Sequence, residues 1–308
     1  MPNTQPGIFT GSEAVEYKNM LESACEGKMR IIPTIKITEN TTPKMIRDAV
    51  RLGVKFGKFY PKGRTTNAED GVYNYIKLWP VLREMEECGM TALFHPTHPT
   101  ESFEGRDAEF AFLSIFWMIR ENFPMLRMTW EHLSDARCIP HLKTMQKNYQ
   151  NTFVTITAHH LCGNEDKHHG DVSATCQPPI RTERDRTDLI RFVMENHDWV
   201  MGGLDDAPHP KDKKHVIGRC ACGAYTTEAG TLLYATALNE FGLFSKSEGF
   251  ATFRSFVSSN AAKYLNVHES ESEREITGYP WTIPEKYDFN GISVIPFWGG
   301  KTLPFSYT

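Results

Sequence analysis

Four residues whose side chains can bind a metal ion lie far apart in the sequence, each at or near the end of a short apolar run. Lys58 lies in "VKFGKFY", His95 ends "MTALFH", His132 ends "LRMTWEH", and Asp205 follows "WVMGGL". Neutral imidazole and carboxylate groups are common zinc donors, so the set predicts a metal centre. Taken singly, each residue also has a structural interpretation, such as a hydrogen-bonded histidine, a snorkelling lysine or a helix-capping aspartate.

Lys58 is the unusual member of this set, because an ammonium group cannot ligate a metal and is costly to bury. A buried lysine loses its proton readily. The neutral amine can then add carbon dioxide and become a carbamate, an anionic oxygen donor that can bridge two cations. The sequence therefore predicts a carbamylated Lys58 as a metal ligand.

The apolar runs must be strands if these residues are to share a location. Apolar patterns predict strands over 30–38, 54–60, 90–96, 126–132, 152–160 and 199–209, and helices over 42–53, 72–89, 109–124, 136–148 and 186–197. Strand and helix in alternation indicate parallel strands with crossover helices. In a (β/α) barrel the carboxyl ends of the strands form one face, where side chains distant in sequence converge.

We therefore predict the α/β class, with a TIM-type (β/α)8 barrel as the architecture. The 308 residues are expected to form a single domain, 1–308, with a short turn-rich C-terminal extension from about 267. Helices are expected to dominate between the last barrel strand and residue 266. The glycine-rich fingerprints of nucleotide sites, GxGxxG and GxxxxGK[ST], do not occur in the sequence.

Composition narrows the class of protein. An apolar content of 40% with 12% aromatic residues is ample for a large core. A net charge of −4 and a pI near 6.3 argue against nucleic-acid and membrane-surface partners. We find neither a run of 18 apolar residues nor a secretory signal, and the seven scattered cysteines are typical of reduced thiols. A cytoplasmic protein is expected.

Several segments, in their order along the chain, resemble dihydroorotase of the smaller homodimeric type, within the amidohydrolase superfamily. They are "KFYPKGRTTN", "TWEHLSDA", "TITAHHL", "QPPIRTERDR", "GLDDAPHP" and "CACGAY", together with the opening "MPNTQP" and the closing "GGKTLPFSYT". The resemblance extends over essentially the whole chain.

The resemblance implies roles for individual residues. Lys58 is similar to the carbamylated lysine that bridges two zinc ions, His95 and His132 to ligands of the second zinc, and Asp205 to a ligand of the first zinc that also shuttles a proton. Asn3 and His209 resemble residues that hold the substrate carboxylate, and Ala221 resembles a backbone contact to it. Thr65 and Thr66 resemble threonines of a mobile loop that closes over the substrate.

The implied activity is zinc-dependent, reversible hydrolysis of dihydroorotate to N-carbamoyl-L-aspartate in pyrimidine biosynthesis. The implied partners are this small anionic substrate and a second copy of the chain in a homodimer. Neither a nucleic acid nor a membrane is expected as a partner.

The chain also departs from the family pattern. The family's first strand carries His-x-His-x-Arg, which binds the first zinc and the substrate carboxylate, and this motif is absent here. The chain is expected to begin at the end of the second strand, which leaves the barrel incomplete and the first zinc site with only Lys58 and Asp205. The family's "HGE" is replaced by "HPTHPTE" and its "GTDSAPH" by "GLDDAPH".

Three explanations of these departures stay open. The sequence is a shortened or fragmentary copy of a complete dihydroorotase, or a relative that has drifted to another cyclic amide or lactone, or a non-catalytic partner in the pathway. The retained Lys58, His95, His132 and Asp205 weigh against the last explanation, because a scaffold has no physical need for them.

Two further segments contain polar residues that are candidates for the substrate side of the site. "AHHLCGNEDKHH" is rich in histidine, and a structural role is favoured for most of them, with His159 or His160 as candidates for orienting the substrate. "CQPPIRTERDR" is expected to shape a loop on the substrate side, where its arginines are candidates for replacing the missing carboxylate clamp and Gln177 for binding a substrate carbonyl.

Overall fold

The computed structural model describes residues 1–103, 105–216, 220–269 and 274–308. The chain divides into two compact units. Unit 1 comprises Met1–Glu131 and Pro140–Phe153, and unit 2 comprises His132–Ile139 and Val154–Thr308. The predicted organisation as a single domain over 1–308 stays a prediction.

Six short strands form one sheet in the order of the chain. They are β1 (Ile35–Ile37), β2 (Phe56–Phe59), β3 (Thr91–Phe94), β4 (Met128–Trp130), β5 (Thr152–Ile156) and β6 (Val200–Gly202). The strands pair in parallel, with Lys36 opposite Lys58 and Lys58 opposite Leu93. Every residue of β1 to β4 is buried, as expected for parallel strands covered on both faces. The architecture is consistent with an incomplete (β/α) barrel.

Eleven α-helices occur in the described ranges. They are α1 (Gly11–Ala24), α2 (Pro43–Arg51), α3 (Trp79–Cys88), α4 (Gly105–Asn122), α5 (Ile139–Tyr149), α6 (Ala158–Cys162), α7 (Glu183–Met194), α8 (Lys211–Lys214), α9 (Gly230–Asn239), α10 (Gly249–Arg254) and α11 (Asn260–Leu265). A π-helical turn, Ser255–Ser259, follows α10. None of the helices in these ranges has the length and apolarity that a bilayer-spanning segment requires.

Local signals explain where the predicted helices begin and end. The Thr42 hydroxyl accepts a hydrogen bond from the Met45 N–H, and Pro43 occupies the first turn of α2, as predicted. The predicted helical segment 72–89, in which Pro80 is expected to start a new turn, consists of a 3₁₀ turn, Tyr75–Leu78, and α3. The Asn74 side chain caps the 3₁₀ turn, and Pro80 lies in the first turn of α3.

The predicted strand over 152–160 is wrong in its second half. Strand β5 ends at Ile156, and residues 158–162 form α6. The Thr157 hydroxyl accepts a hydrogen bond from the His160 N–H and so starts the helix, which overrides the strand preference of this β-branched run. His159 and His160 therefore lie on a helical turn after the strand.

Helix α1 was not predicted. Thr10 and Glu13 form a reciprocal capping box at its start, which is a sequence signal that the interpretation of the opening residues overlooked. The C-terminal tail has the predicted short strands, in three antiparallel pairs: β7 (Ile276–Thr277) with β12 (Ser306–Tyr307), β8 (Trp281–Thr282) with β11 (Thr302–Leu303), and β9 (Tyr287–Phe289) with β10 (Ile292–Val294).

Candidate active site

Lys58, a residue of unit 1, is almost completely buried. It lies on β2 with 1% of its side chain exposed, and its ammonium group forms an ion pair with Glu131, which directly follows β4. The Tyr60 ring centroid is 5.2 Å from the ammonium nitrogen. A carboxylate and an aromatic face thus offset part of the cost of burying this charge.

His95 comes directly after β3, at the carboxyl end that the sequence predicted for it. Its N–H donates to the Phe59 carbonyl at 3.0 Å, which extends the pairing with β2 by one residue. The side chain is buried, and burial, followed by the charges of Lys58 and Arg64, holds the pKa of His95 well below its ordinary value. The ring is therefore neutral, the form that ligates metals.

Asn3 connects the N-terminal segment to the loop after β2. Its Nδ2 donates to the Thr66 carbonyl at 3.1 Å, and its Oδ1 accepts from the Tyr60 hydroxyl at 3.0 Å. The Asn67 side chain in turn donates to the Asn3 carbonyl at 2.8 Å. Asn3, Thr65 and Thr66 thus share one part of unit 1, and Thr65 and Thr66 are half-buried there.

His132 lies two residues beyond β4, in unit 2. Its φ of 41° is in the left-handed region, which is strained for a residue with a side chain. Its N–H donates to the Thr155 hydroxyl at 2.8 Å, and the next residue, Leu133, donates to the Thr155 carbonyl at 2.9 Å. Both bonds fix the backbone at this position, and the His132 imidazole is buried.

Asp205 also has a left-handed backbone, with φ of 50°, three residues beyond β6. The Tyr234 hydroxyl supports the preceding turn, since it accepts from the Gly203 N–H at 3.1 Å and donates to the Ile156 carbonyl at 2.7 Å. The Asp205 side chain is exposed. The structure therefore presents this carboxylate to solvent on a braced turn.

The neighbouring Asp206, which departs from the family motif, has a structural role. Its carboxylate accepts from the Thr226 N–H at 2.6 Å, from the Thr226 hydroxyl at 2.9 Å, and from the Thr227 hydroxyl. Burial, followed by the charge of Asp205, raises the pKa of Asp206. Asp206 thus fixes the segment after residue 220 to the turn that carries Asp205.

His209 and Ala221 lie in this same part of unit 2. The His209 Nε2 is 2.9 Å from the Cys222 carbonyl, so this nitrogen is the donor. The Ala221 N–H donates to the Lys213 carbonyl at 3.1 Å, and the Ala221 carbonyl accepts from the Lys214 ammonium group at 3.1 Å. Both backbone groups of Ala221 thus have partners in the chain, and its contact with substrate stays a prediction.

A second group of metal-competent side chains occurs in unit 2, apart from the predicted ligands. The ligand atoms of His159, His160 and Cys176 lie within 4.8 Å of one another, and all three residues are buried. His160 already uses both ring nitrogens, with Thr157 at 2.6 Å and the Pro178 carbonyl at 3.1 Å. These contacts favour the structural role predicted for this histidine-rich segment.

Two of the three arginines of "CQPPIRTERDR", Arg181 and Arg186, are buried in unit 2. Arg186 bridges Glu183 at 2.7 Å and Glu240 at 3.0 Å, and it donates to the Leu161 carbonyl. The Arg181 Nε donates to the Ser134 hydroxyl at 2.9 Å. Arg186 is thus a structural residue, which weakens the idea that it replaces a carboxylate clamp.

The donor types of the predicted ligands fit zinc. His95 offers a buried neutral imidazole, His132 a buried imidazole on a fixed backbone, and Asp205 a carboxylate. Lys58 joins this set only as a carbamate, because an ammonium group has no lone pair to donate.

No protein-family model matches the chain. A dihydroorotase of Marinobacter nauticus is 31% identical over 310 residues, which cover 98% of this chain and 87% of the relative. The chain belongs to the dihydroorotase family. A dihydroorotase of Vibrio cholerae is 29% identical, over 99% of this chain and 88% of the relative.

Solved structures agree with this assignment to the dihydroorotase family. The crystal structure of a Saccharomyces cerevisiae dihydroorotase in complex with 5-fluoroorotic acid superposes with a TM-score of 0.91 at 26% identity, over 100% of this chain and 88% of that one. A Campylobacter jejuni dihydroorotase gives 0.84 at 26% identity, over 100% and 86%. The predicted barrel fold and family are confirmed.

Two residues of this dihydroorotase-family chain were missed in the sequence. Glu131 pairs with Lys58, and Lys36 is a second buried lysine on a barrel strand. The run "TIKIT" that contains Lys36 has the same signal as the run around Lys58, a lysine within an apolar strand. That signal could have identified Lys36.

Proposed function

We propose that the chain is a dihydroorotase, which hydrolyses dihydroorotate reversibly to N-carbamoyl-L-aspartate in cytoplasmic pyrimidine biosynthesis. The observation that carries this proposal is the likeness to dihydroorotases over nearly the whole chain, at 31% identity to a relative. A homodimer is proposed as the working form.

Zinc is the proposed cofactor, held by His95, His132, Asp205 and a carbamylated Lys58. When bound, zinc supplies a Lewis acid that polarises a carbonyl group and makes water a stronger nucleophile. The neutral state of His95 and the burial of Lys58 support this assignment. The family pattern has two zinc ions. The second zinc site, with His95 and His132, is the better preserved of the two in this chain.

Asp205 is the proposed proton carrier. Water adds to the ring carbonyl carbon, the ring C–N bond breaks, and Asp205 moves a proton from the water to the departing nitrogen. The exposed carboxylate on its braced turn supports this role, since it can reach a small substrate.

The substrate carboxylate is proposed to be held by Asn3, His209 and the backbone of Ala221. Asn3 has an amide donor, and His209 has an imidazole next to a carbonyl acceptor. Thr65 and Thr66 are proposed to close over the substrate, exclude water and add hydroxyl donors.

A second candidate function is that of a dihydroorotase-like protein with altered or lost activity. One observation favours it: two segments depart from the family pattern within the chain, "HPTHPTE" in place of "HGE" and "GLDDAPH" in place of "GTDSAPH". The altered form would hydrolyse another cyclic amide or lactone, and the inactive form would act as a partner of a pathway enzyme.

The test measures zinc content and dihydroorotate turnover of the purified protein. We expect bound zinc and turnover, and we expect both to be mostly lost in Lys58→Ala. The matched control is Lys28→Ala, which removes an exposed lysine paired with Glu26 and should change neither. Zinc without turnover would favour an altered substrate. Absence of zinc after metal loading, with another pathway enzyme co-purifying, would favour the inactive partner.

A further inference from the structure

Lys36 is a buried cation that the proposed chemistry does not use. It lies at the centre of β1, and only 3% of its side chain is exposed. It is the register partner of Lys58 on the neighbouring parallel strand, so both side chains leave the same face of the sheet. An ammonium group at such a position requires partners that compensate for its lost hydration.

The partners of Lys36 all belong to unit 1, and two of them lie in the loop after β2. Its ammonium group donates to the Asn67 carbonyl at 2.7 Å and forms an ion pair with Asp70. The rings of Phe9 and Tyr60 lie 5.7 and 6.0 Å from the same nitrogen. Asp70 is half-exposed, with 44% of its side chain accessible, so this partner can leave the pair for solvent.

The loop that Lys36 holds is the one that carries Thr65 and Thr66. Its base is closed by the Val72 N–H, which donates to the Tyr60 carbonyl at 2.7 Å. The loop is also bound to the N-terminal segment, because the Asn3 side-chain amide donates to the Thr66 carbonyl at 3.1 Å. Asn67 is therefore held twice, by the Lys36 ammonium through its carbonyl and by the Asn3 carbonyl through its side chain.

We propose that Lys36 is a positioning residue that fastens the loop of residues 62–71 through Asn67 and Asp70, and so holds Thr65 and Thr66 over the substrate. The part that concerns the substrate rests on the proposed function. The part that concerns the loop rests only on the contacts in unit 1. Because the ammonium group is buried and Asp70 is half-exposed, the loop opens by moving Asp70 while Lys36 stays in place.

Trypsin tests the loop without reference to activity, because the loop contains two cleavage sites, after Lys62 and Arg64. Lys62 is exposed, whereas Arg64 is half-buried and donates to the Phe103 carbonyl at 2.6 Å. Mass spectrometry of the early products measures cleavage at these sites. Cleavage after the exposed Lys44 on α2 reports general unfolding in the same unit.

Two variants remove the contacts in steps. Lys36→Met removes both the contact with the Asn67 carbonyl and the ion pair with Asp70. We expect trypsin cleavage in the loop to become about tenfold faster, because the loop opens more often. Asp70→Asn keeps the Asn67 contact and changes a half-exposed residue, so it should fold normally and accelerate cleavage by a smaller factor. The double variant should match Lys36→Met, because the two residues act through one pair.

The matched control is Lys77→Met. Lys77 is an exposed lysine of unit 1 that pairs with Glu39 at 2.8 Å, and its loss should leave loop cleavage unchanged. In the activity assay, Lys36→Met should raise the KM for dihydroorotate about tenfold with a smaller change in kcat, because the loop contributes mainly to holding the substrate.

Loop cleavage at the wild-type rate in both Lys36→Met and Asp70→Asn would overturn the proposal. So would faster cleavage with an unchanged KM, since the loop would then have no part in binding. A raised KM with unchanged cleavage would also overturn it, because Lys36 would then act on the substrate directly. If the wild-type protein does not turn over dihydroorotate, the proposed function fails, and loop cleavage alone decides whether Lys36 fastens the loop.

Discussion

Lowering the pH should destabilise unit 2 through His160. The ring is fully buried between the Thr157 hydroxyl and the Pro178 carbonyl. Burial lowers the pKa of His160 from the ordinary 6.5 to about 4, because a charged ring would lose its water without gaining a carboxylate. The folded protein therefore resists protonation of this ring, while the unfolded chain accepts the proton readily.

The direction and size of the effect follow from this difference. Above pH 6.5 the ring is neutral in both states, and its full contribution to stability is present. As the pH falls through 6.5 towards about 4, only the unfolded chain binds the proton, so stability is lost. The whole difference corresponds to about 3 kcal/mol, of which about 2 kcal/mol is lost by about pH 5.

Urea unfolding near pH 7 and near pH 5, followed by tryptophan fluorescence at one protein concentration, measures this loss. His160→Gln keeps a polar side chain but does not titrate in this range. The variant will be less stable at both pH values, yet its loss on acidification should be about 2 kcal/mol smaller than that of the wild type. Comparing the two losses cancels the contribution of His95, whose pKa burial also lowers.

The control is His169→Gln, which changes an exposed histidine of the same segment and should keep the wild-type loss. Equal losses in wild type and His160→Gln would refute the reasoning, because they would mean that the buried ring does not differ in proton affinity between the folded and unfolded states.

Three further predictions concern stability and metal content. Arg120 is completely buried and donates to the carbonyls of Leu126 and Asn151 at 2.8 and 2.9 Å, so Arg120→Met should lower the free energy of unfolding by about 3 kcal/mol, as measured by urea unfolding. Tyr234→Phe removes the hydroxyl that braces the turn before Asp205, and thermal unfolding should show a loss of about 1–3 kcal/mol. Dialysis against a zinc chelator should abolish turnover, and added zinc should restore it. Activity that survives complete zinc removal would contradict the proposed cofactor.

Much of the barrel could be predicted from local patterns. The strands and helices around Lys58 and His95 occur close to the predicted bounds. Strands that are buried on both faces need continuous apolar runs, and the residues that cap a helix are adjacent to it in the sequence. The strand over 152–160 was wrong in its second half for the same local reason, since Thr157 caps a helix that the β-branched run did not suggest. Bounds are therefore decided by single capping residues as well as by periodicity.

The candidate site was harder to predict from the sequence than the fold. Donor chemistry at predicted strand ends, together with motif resemblance, selected Lys58, His95, His132 and Asp205. The structure places each of them at or just beyond the carboxyl end of a strand. The ion pair of Lys58 with Glu131 could not be predicted, because it joins a residue of β2 to the residue that follows β4, far along the chain. The exposure of Asp205 likewise depends on the turn that Tyr234 supports from a distant helix.

The sequence by itself determined the order of strands and helices, the family, and the ends of strands at which chemically active side chains lie. These properties depend on residues that are neighbours along the chain or that match a motif. The tertiary structure alone decided which side chains meet, such as Lys36 with Asp70, which lies 34 residues further along. The physical reason is that such a pair forms only when packing has brought its strand and its loop together and has excluded water from the ammonium group.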